Sequence, residues 1–190
     1  MQPLVIILSG PGGAGKTTVM RLLTETSPQF VPITKLTTRA PREGESDGQE
    51  FHFISIPEFQ ALLNSGKLLE SNLYNGNYYG VPKLDVGQAL ASGRCPVLVT
   101  EHNGARAIRQ HYPTQSVLIF ITAPEVVLLD RYLRRGQTNT EATARIQIAI
   151  REELPEARWY DSVIENIENE PQKTTKKVID FIENFLPSQQ

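Results

Sequence analysis

The segment that most limits what this chain can become is Gly10-Pro11-Gly12-Gly13-Ala14-Gly15-Lys16-Thr17, which follows the apolar run Leu4-Val5-Ile6-Ile7-Leu8. A β-branched run without polar alternation reads as a buried strand. Residues 15–25 read as a helix, with Val19, Leu22 and Leu23 on one face. The segment between them satisfies the phosphate-loop pattern G-x-x-x-x-G-K-[ST] where the chemistry needs it, after a strand and before a helix. Its glycines permit a tight loop whose N–H groups converge on phosphate oxygens, and the helix dipole adds to that field. In such a loop Lys16 reaches the β- and γ-phosphates and the Thr17 hydroxyl ligates Mg²⁺. Residues Gly10 to Thr17, with Thr18 beside them, are therefore the candidate nucleotide contacts. A glycine-rich turn that binds nothing is the plain alternative, and position and context together weigh against it. A loop of this kind specifies a nucleotide, not a reaction, so the acceptor must be read from the rest of the chain.

Pro96-Val97-Leu98-Val99 and Val117-Leu118-Ile119-Phe120-Ile121 are two further all-apolar, strand-like runs. Helices are expected after them at 103–111 and 124–134, with Pro124 in a first turn. A long helix is expected over 139–153, with Ile146, Ile150 and Leu154 four apart and Pro155 ending it. A short strand near 162–164 and a helix at about 171–185 complete the chain. Strand–helix alternation of this kind implies a parallel sheet covered on both faces. Two stretches break the rhythm. Residues 35–81 are rich in Arg, Gly, Glu, Asn and Tyr, and show only a short helix at 57–65 between Pro57 and Gly66. Residues 134–142 are polar and loop-like. The first reads as an inserted subdomain and the second as a mobile flap.

Composition enters as exclusion. A formal net charge of −2 argues against a non-specific nucleic-acid binder. The single cysteine, Cys95, rules out an internal disulfide and suggests a reducing compartment. Leu4 to Leu8 is far too short for a membrane span and lacks a basic leader, so a cytoplasmic protein with no membrane partner is expected. His52, His102 and His111 show no metal-ligand spacing. Cys95 reads as a packed small side chain, Trp159-Tyr160 as core or edge packing, and Glu152-Glu153 and Lys176-Lys177 as solvated helix faces.

On the acceptor side, Arg39-Ala40-Pro41-Arg42-Glu43-Gly44-Glu45 places two guanidiniums around a proline. Arginine forks match phosphate geometry in bidentate fashion. Asn75-Gly76-Asn77-Tyr78-Tyr79-Gly80 sets two tyrosines between glycines, where a hydroxyl can donate to phosphate and a ring can pack on a base. Singly, these read equally well as a solvated charged loop and a turn with half-buried rings. Together, in order, residues 10–17, the T-T-R-x-P-R-x-G-E-x-x-G segment from Thr37 to Gly48, and Gly76 to Gly80 resemble the guanylate kinase family. The likeness runs over about residues 4–186 and is weakest beyond 150.

The resemblance implies an α/β fold: a three-layer α/β/α P-loop architecture with a parallel core sheet, an inserted monophosphate-binding subdomain and a lid. It divides a single domain, 1–190, into a core (1–34, 82–130 and 146–190), an insert (35–81) and a lid (131–145). It implies ATP- and Mg²⁺-dependent phosphorylation of a nucleoside monophosphate, GMP above all, with only small-molecule nucleotide partners; the oligomeric state stays open. By the same resemblance, Arg39 and Arg42 are acceptor-phosphate clamps and Tyr78 binds the same phosphate. Glu45 stands where the family has an acid, Gly80 closes the tyrosine segment, and Glu70 matches the carboxylate that accepts from N1 and the exocyclic amine of guanine. Gly104, after Asn103, matches a glycine after the third strand. Arg131, Arg135 and Arg145 match lid arginines, although the Arg135–Arg145 spacing is one residue short. Catalysis in such a site is in-line positioning plus fixed positive charge.

The chain departs from the family in the acceptor site. Lys35 replaces a serine that contacts guanine, and Val81 a serine or threonine beside the base. Glu101 stands where aspartate is usual, and Val99 replaces another common acid. Phe51 replaces a tyrosine, removing a hydrogen bond to a charged group, about 1.5–3 kcal/mol. Lys35 either turns into the pocket and takes Glu70 away from guanine, or points outward and leaves Thr34 to substitute. Two other readings remain. One is a guanylate kinase-like module that binds protein partners, against which Lys16, Thr17 and the lid arginines count. The other is a kinase of another phosphorylated small molecule, such as another nucleoside monophosphate or a ribose bisphosphate. The altered base contacts favour it, while Glu45 and Gly48 count against it.

Overall fold

The structure, a computed structural model, describes residues 2–49, 51–168 and 170–185. The outer limits of the expected core (1 and 186–190) and positions 50 and 169 lie outside the described residues. In chain order the elements are β1 (Val5–Ser9), α1 (Lys16–Thr26), β2 (Phe30–Pro32), β3 (Lys35–Thr37), β4 (Phe51–Phe53), α2 (Ile56–Asn64), β5 (Leu68–Tyr74) and β6 (Asn77–Pro82). They continue with α3 (Lys83–Ala91), β7 (Cys95–Val99), α4 (His102–His111), β8 (Ser116–Thr122), α5 (Glu125–Arg134), α6 (Asn139–Ile148), β9 (Ser162–Glu165) and α7 (Pro171–Asn184).

The larger sheet runs in the order β2-β7-β1-β8-β9, with every pairing parallel. Its central strands are apolar apart from hydroxyl residues at the ends of β1 and β8, because both faces are covered. Alternate side chains of β1 divide between two cores. Ile6 and Leu8 pack with Val19 and Leu23 of α1 and Val178 and Ile182 of α7. Val5 and Ile7 pack with Val86 of α3 and Ala105 and Ile108 of α4. β1 thus has helices on both sides of its carboxyl end and lies between β7 and β8, the switch point where ligands of open α/β sheets bind. Cys95 opens β7 fully buried, and burial pushes its thiol pKa up, so it is an inert packing residue.

Residues 35–81 are more ordered than their composition suggests. The expectation of a helix alone is corrected: α2 stands beside a second sheet, β4-β3-β6-β5, mixed in direction. In this sheet β3 and β4 have three residues each, too few for a periodic signal. α2 begins with a capping box between Ser55 and Glu58 and is stopped at Gly66, where φ is +65°. β5 and β6 form a hairpin across Asn75-Gly76, both with positive φ, as a two-residue type I′ turn requires.

Three further expectations change. The polar stretch 134–142 is mostly helical, with only residues 135–138 between α5 and α6; Thr138 and Glu141 form the capping box that starts α6. The helix expected over 139–153 is α-helical only to Ile148. A π-helical turn covers 149–153 and a 3₁₀ segment carrying Pro155 covers 154–159. Trp159 is not core: it is exposed under the Arg106 guanidinium, 4.5 Å from the ring centroid, while Tyr160 turns inward against Phe120.

Candidate active site

The turn after β1 is built for close backbone approach. Gly10 has φ +128°, and a Cβ there would lie 2.0 Å from the Ile121 carbonyl oxygen of β8. Gly15 has φ +93°, and a Cβ there would lie 2.2 Å from Asn166 Nδ2. Asn166, just past β9, donates from Nδ2 to the Ala14 carbonyl (2.7 Å) and accepts from the Thr174 hydroxyl of α7 (2.9 Å). Arg131 of α5 donates to the Gly13 carbonyl at 2.8 Å. With the Ala14 carbonyl tied back, the trans Ala14–Gly15 peptide turns its N–H the opposite way. Gly15 caps α1 without a side-chain acceptor, so the first amides of the helix, at Lys16, Thr17 and Thr18, keep their donors for an anion. Thr17 and Thr18 are exposed on this turn.

Lys16 donates from Nζ to the carbonyls of Gly10 (2.6 Å) and Pro11 (2.8 Å). Burial lowers its pKa from 10.5 to about 8, against the opposing pull of Glu153 and Glu101; Arg135 pushes it further down. Glu153 is therefore no solvated face residue. It is half-buried, its pKa is raised chiefly by burial, and it faces Lys16 and Arg145. The signal that could have found it is spacing. Seven residues after Ile146, it falls on the buried stripe that includes Ala149.

The arginine segment folds back on itself. Arg39 meets the Glu45 carboxylate at 2.9 Å and lies over Phe51 and Phe53, 5.6 and 5.7 Å from their centroids. Glu45 also accepts from the Arg42 backbone N–H (2.8 Å), and that bond, followed by Arg39, lowers its pKa. Glu45 thus fixes Arg39 while the Arg42 side chain stays exposed. The Tyr78 ring stacks on Phe59 of α2, 5.1 Å between centroids. Gly80 faces the same ring, where a Cβ would come within 3.0 Å.

Glu70 is aimed by an irregularity. The β5–β6 register shifts between Leu68 and Glu70, so Leu69 and Glu70 are both buried where a regular strand would alternate. The Lys35 ammonium lies 3.1 Å from Glu70 Oε1, so the inward orientation is the one adopted. The Thr100 hydroxyl donates to the same oxygen at 3.2 Å. Val81, opposite Glu70, is fully buried. Gly104 lets α4 approach, since a Cβ there would lie 2.3 Å from Thr100 Oγ1. Glu101 caps α4 and accepts from Asn72 at 3.1 Å.

The three arginines of the α5–α6 hairpin divide. Arg131 donates into the glycine turn and the Arg135 charge helps lower the Lys16 pKa, whereas Arg145 donates to the Tyr74 hydroxyl of β5 at 2.9 Å. Thr100 and Asn166 were not singled out from sequence; a lone Thr after a strand and a lone Asn after another carry no pattern. Among the described residues no His/Cys/Asp/Glu cluster could hold a metal ion, and no helix is long and apolar enough to cross a membrane.

Comparison with known proteins agrees with this geometry. The guanylate kinase family model matches residues 2–185. A guanylate kinase of Trichormus variabilis is 42% identical over 163 residues, 85% of this chain and 81% of that protein. One from Synechocystis is 40% identical over 85% of each chain. The crystal structure of guanylate kinase from Anaplasma phagocytophilum superposes with a TM-score of 0.75 at 27% identity, covering 96% of this chain and 85% of the other. A shikimate kinase from Acinetobacter baumannii shares the fold alone, with a TM-score of 0.54 at 18% identity over 95% of this chain and 93% of the other. With a glycine turn, a second mixed sheet and a family match that spans nearly its whole length, the chain belongs to the guanylate kinase family.

Proposed function

We propose that the chain transfers the γ-phosphoryl group of ATP to the phosphate of GMP, giving ADP and GDP. The bond from the γ-phosphorus to its bridging oxygen breaks, and one to an acceptor-phosphate oxygen forms. The observation that carries this reading is Thr100. Its hydroxyl binds Glu70 and its backbone N–H donates to the Leu8 carbonyl at 3.1 Å, so the acceptor pocket hangs on the strand that leads into the glycine turn.

In this reading the turn from Gly10 to Thr18 holds the triphosphate, and Lys16 leaves its two carbonyls for phosphate oxygens. The exposed Thr17 hydroxyl is the protein oxygen that would hold Mg²⁺, which when bound neutralises charge on the β- and γ-phosphates. Arg39, Arg42 and Tyr78 hold the acceptor phosphate, with Glu45 orienting Arg39. Residues 131–145 act as a lid: Arg131 and Arg135 meet the transferring group, and closure expels water that would compete as acceptor. The insert 35–81 and the core carry the two substrates. No covalent nucleophile or strong general base is needed.

The test is ADP release with GMP. Lys16→Met should cut kcat by about 10²–10³, the scale of a lost electrostatic stabiliser. Arg39→Ala should lower kcat/KM for GMP by about 10–100-fold, a lost hydrogen bond to a charged group, with KM for ATP unchanged. Native turnover in both variants contradicts the assignment.

A further inference from the structure

Lys35 puts a cation into the acceptor pocket that the reaction above does not require. Its ammonium and the Thr100 hydroxyl both engage Glu70 Oε1, at 3.1 and 3.2 Å. No hydrogen-bond partner of Oε2 is found among the described residues. Gly104 leaves the space beside Oε2 open, since any Cβ there would stand 3.2 Å from it. Val81, across the hairpin from Glu70, offers no donor. The Lys35 side chain remains 20% exposed, and an ammonium has further N–H donors to give.

A carboxylate with both oxygens open accepts from two adjacent donors, such as N1–H and the 2-amino group of guanine. With Oε1 engaged, one acceptor remains, next to one cationic donor. That pair complements an N–H beside a carbonyl, the N1–H and O6 of a 6-oxopurine. Adenine presents the reverse, with an acceptor at N1 against Oε2 and an amine at C6 against the ammonium. A buried polar site rejects such a mismatch strongly.

We propose that Lys35 and Glu70 together read the N1–H and O6 edge of a 6-oxopurine, so that the 2-amino group is dispensable and IMP is an acceptor alongside GMP. This rests on the phosphoryl-transfer reading above. The balance is the same: ATP and IMP give ADP and IDP, with the γ-phosphoryl moving to an oxygen of the IMP phosphate.

The experiment measures kcat/KM with GMP, IMP and AMP, and calorimetric binding of the same three nucleotides, for the native protein, Lys35→Ser and Lys35→Met. Native IMP should stand within about tenfold of GMP, since a single lost hydrogen bond to a charged group would cost at least that much. AMP should fall well below both. Either substitution removes the ammonium from Oε1, leaving it only the Thr100 hydroxyl, and should widen the GMP-to-IMP ratio by about fivefold or more, a contribution typical of one hydrogen bond. Two variants guard against one failing to fold, and an unchanged KM for ATP reports an intact glycine turn. A native GMP-to-IMP ratio above tenfold, or a ratio that neither substitution moves, overturns the proposal. If GMP and IMP bind alike but neither is phosphorylated, the transfer reading fails while the pocket reading stands.

Discussion

Lys16 sits on two carbonyls of the glycine turn, and its pKa of about 8 reflects that confinement. In the unfolded chain the ordinary value is 10.5. Between these values the unfolded state holds more protons than the folded one, so stability rises with pH through that window. The burial cost of the ammonium is present in full below it. ATP favours the charged form, so binding above about pH 8 must take up a proton. Binding heats at about pH 9 should then depend on the ionisation enthalpy of the buffer, and those at about pH 7 should not. Buffer-independent heats at both would contradict the account. Glu153→Gln should move the onset to lower pH, because that carboxylate holds the proton on Lys16. The turn from Gly10 to Gly15 between β1 and α1 was legible because spacing and context coincide. Glu153 was passed over because a charged pair late in a helix reads as solvent-facing unless the stripe is counted from Ile146. Lys35 could be placed at the pocket but not oriented, since its direction depends on Glu70 and Thr100, distant in sequence.

At the scale of elements, legibility followed length and burial. β1, β7 and β8 are continuous apolar runs between two helical layers and announce themselves. β5, with Glu-Ser-Asn at its centre, does not, and its register shift hides the buried Glu70 carboxylate. The Asn75-Gly76 turn was the available signal for the β5–β6 hairpin. The end of β9 does its work through Asn166, which ties the glycine turn to α7. Asn166→Ala strands the Ala14 carbonyl, at about 1–3 kcal/mol for a buried group left unsatisfied, and takes the acceptor from the Thr174 O–H, which keeps the Ile167 N–H as its donor. For a domain of this size Tm should fall by about 2–4 °C per kcal/mol. KM for ATP should rise with it. An unchanged Tm would show that Asn166 does not brace the loop.

Across the whole molecule, Leu69 and Val81 of the small sheet share an apolar cluster with Val5, Ile7 and Leu98 of the large one, and polar links join the two parts beside it. Thr100 joins Glu70 to Leu8, Asn72 reaches Glu101, and Arg145 of the α5–α6 hairpin reaches Tyr74 on the small sheet. Long-range links of this kind carry no local signature, so the division into a parallel core and an insert could be anticipated from the chain while the joints could not. They matter because in-line transfer needs both anions in one cleft. The most direct test is phosphorus NMR of ATP, Mg²⁺ and GMP with the native protein. The account predicts GDP and ADP appearing in equal amounts as the γ-phosphate signal disappears. Inorganic phosphate released with GMP unchanged, or ATP left intact, would contradict it.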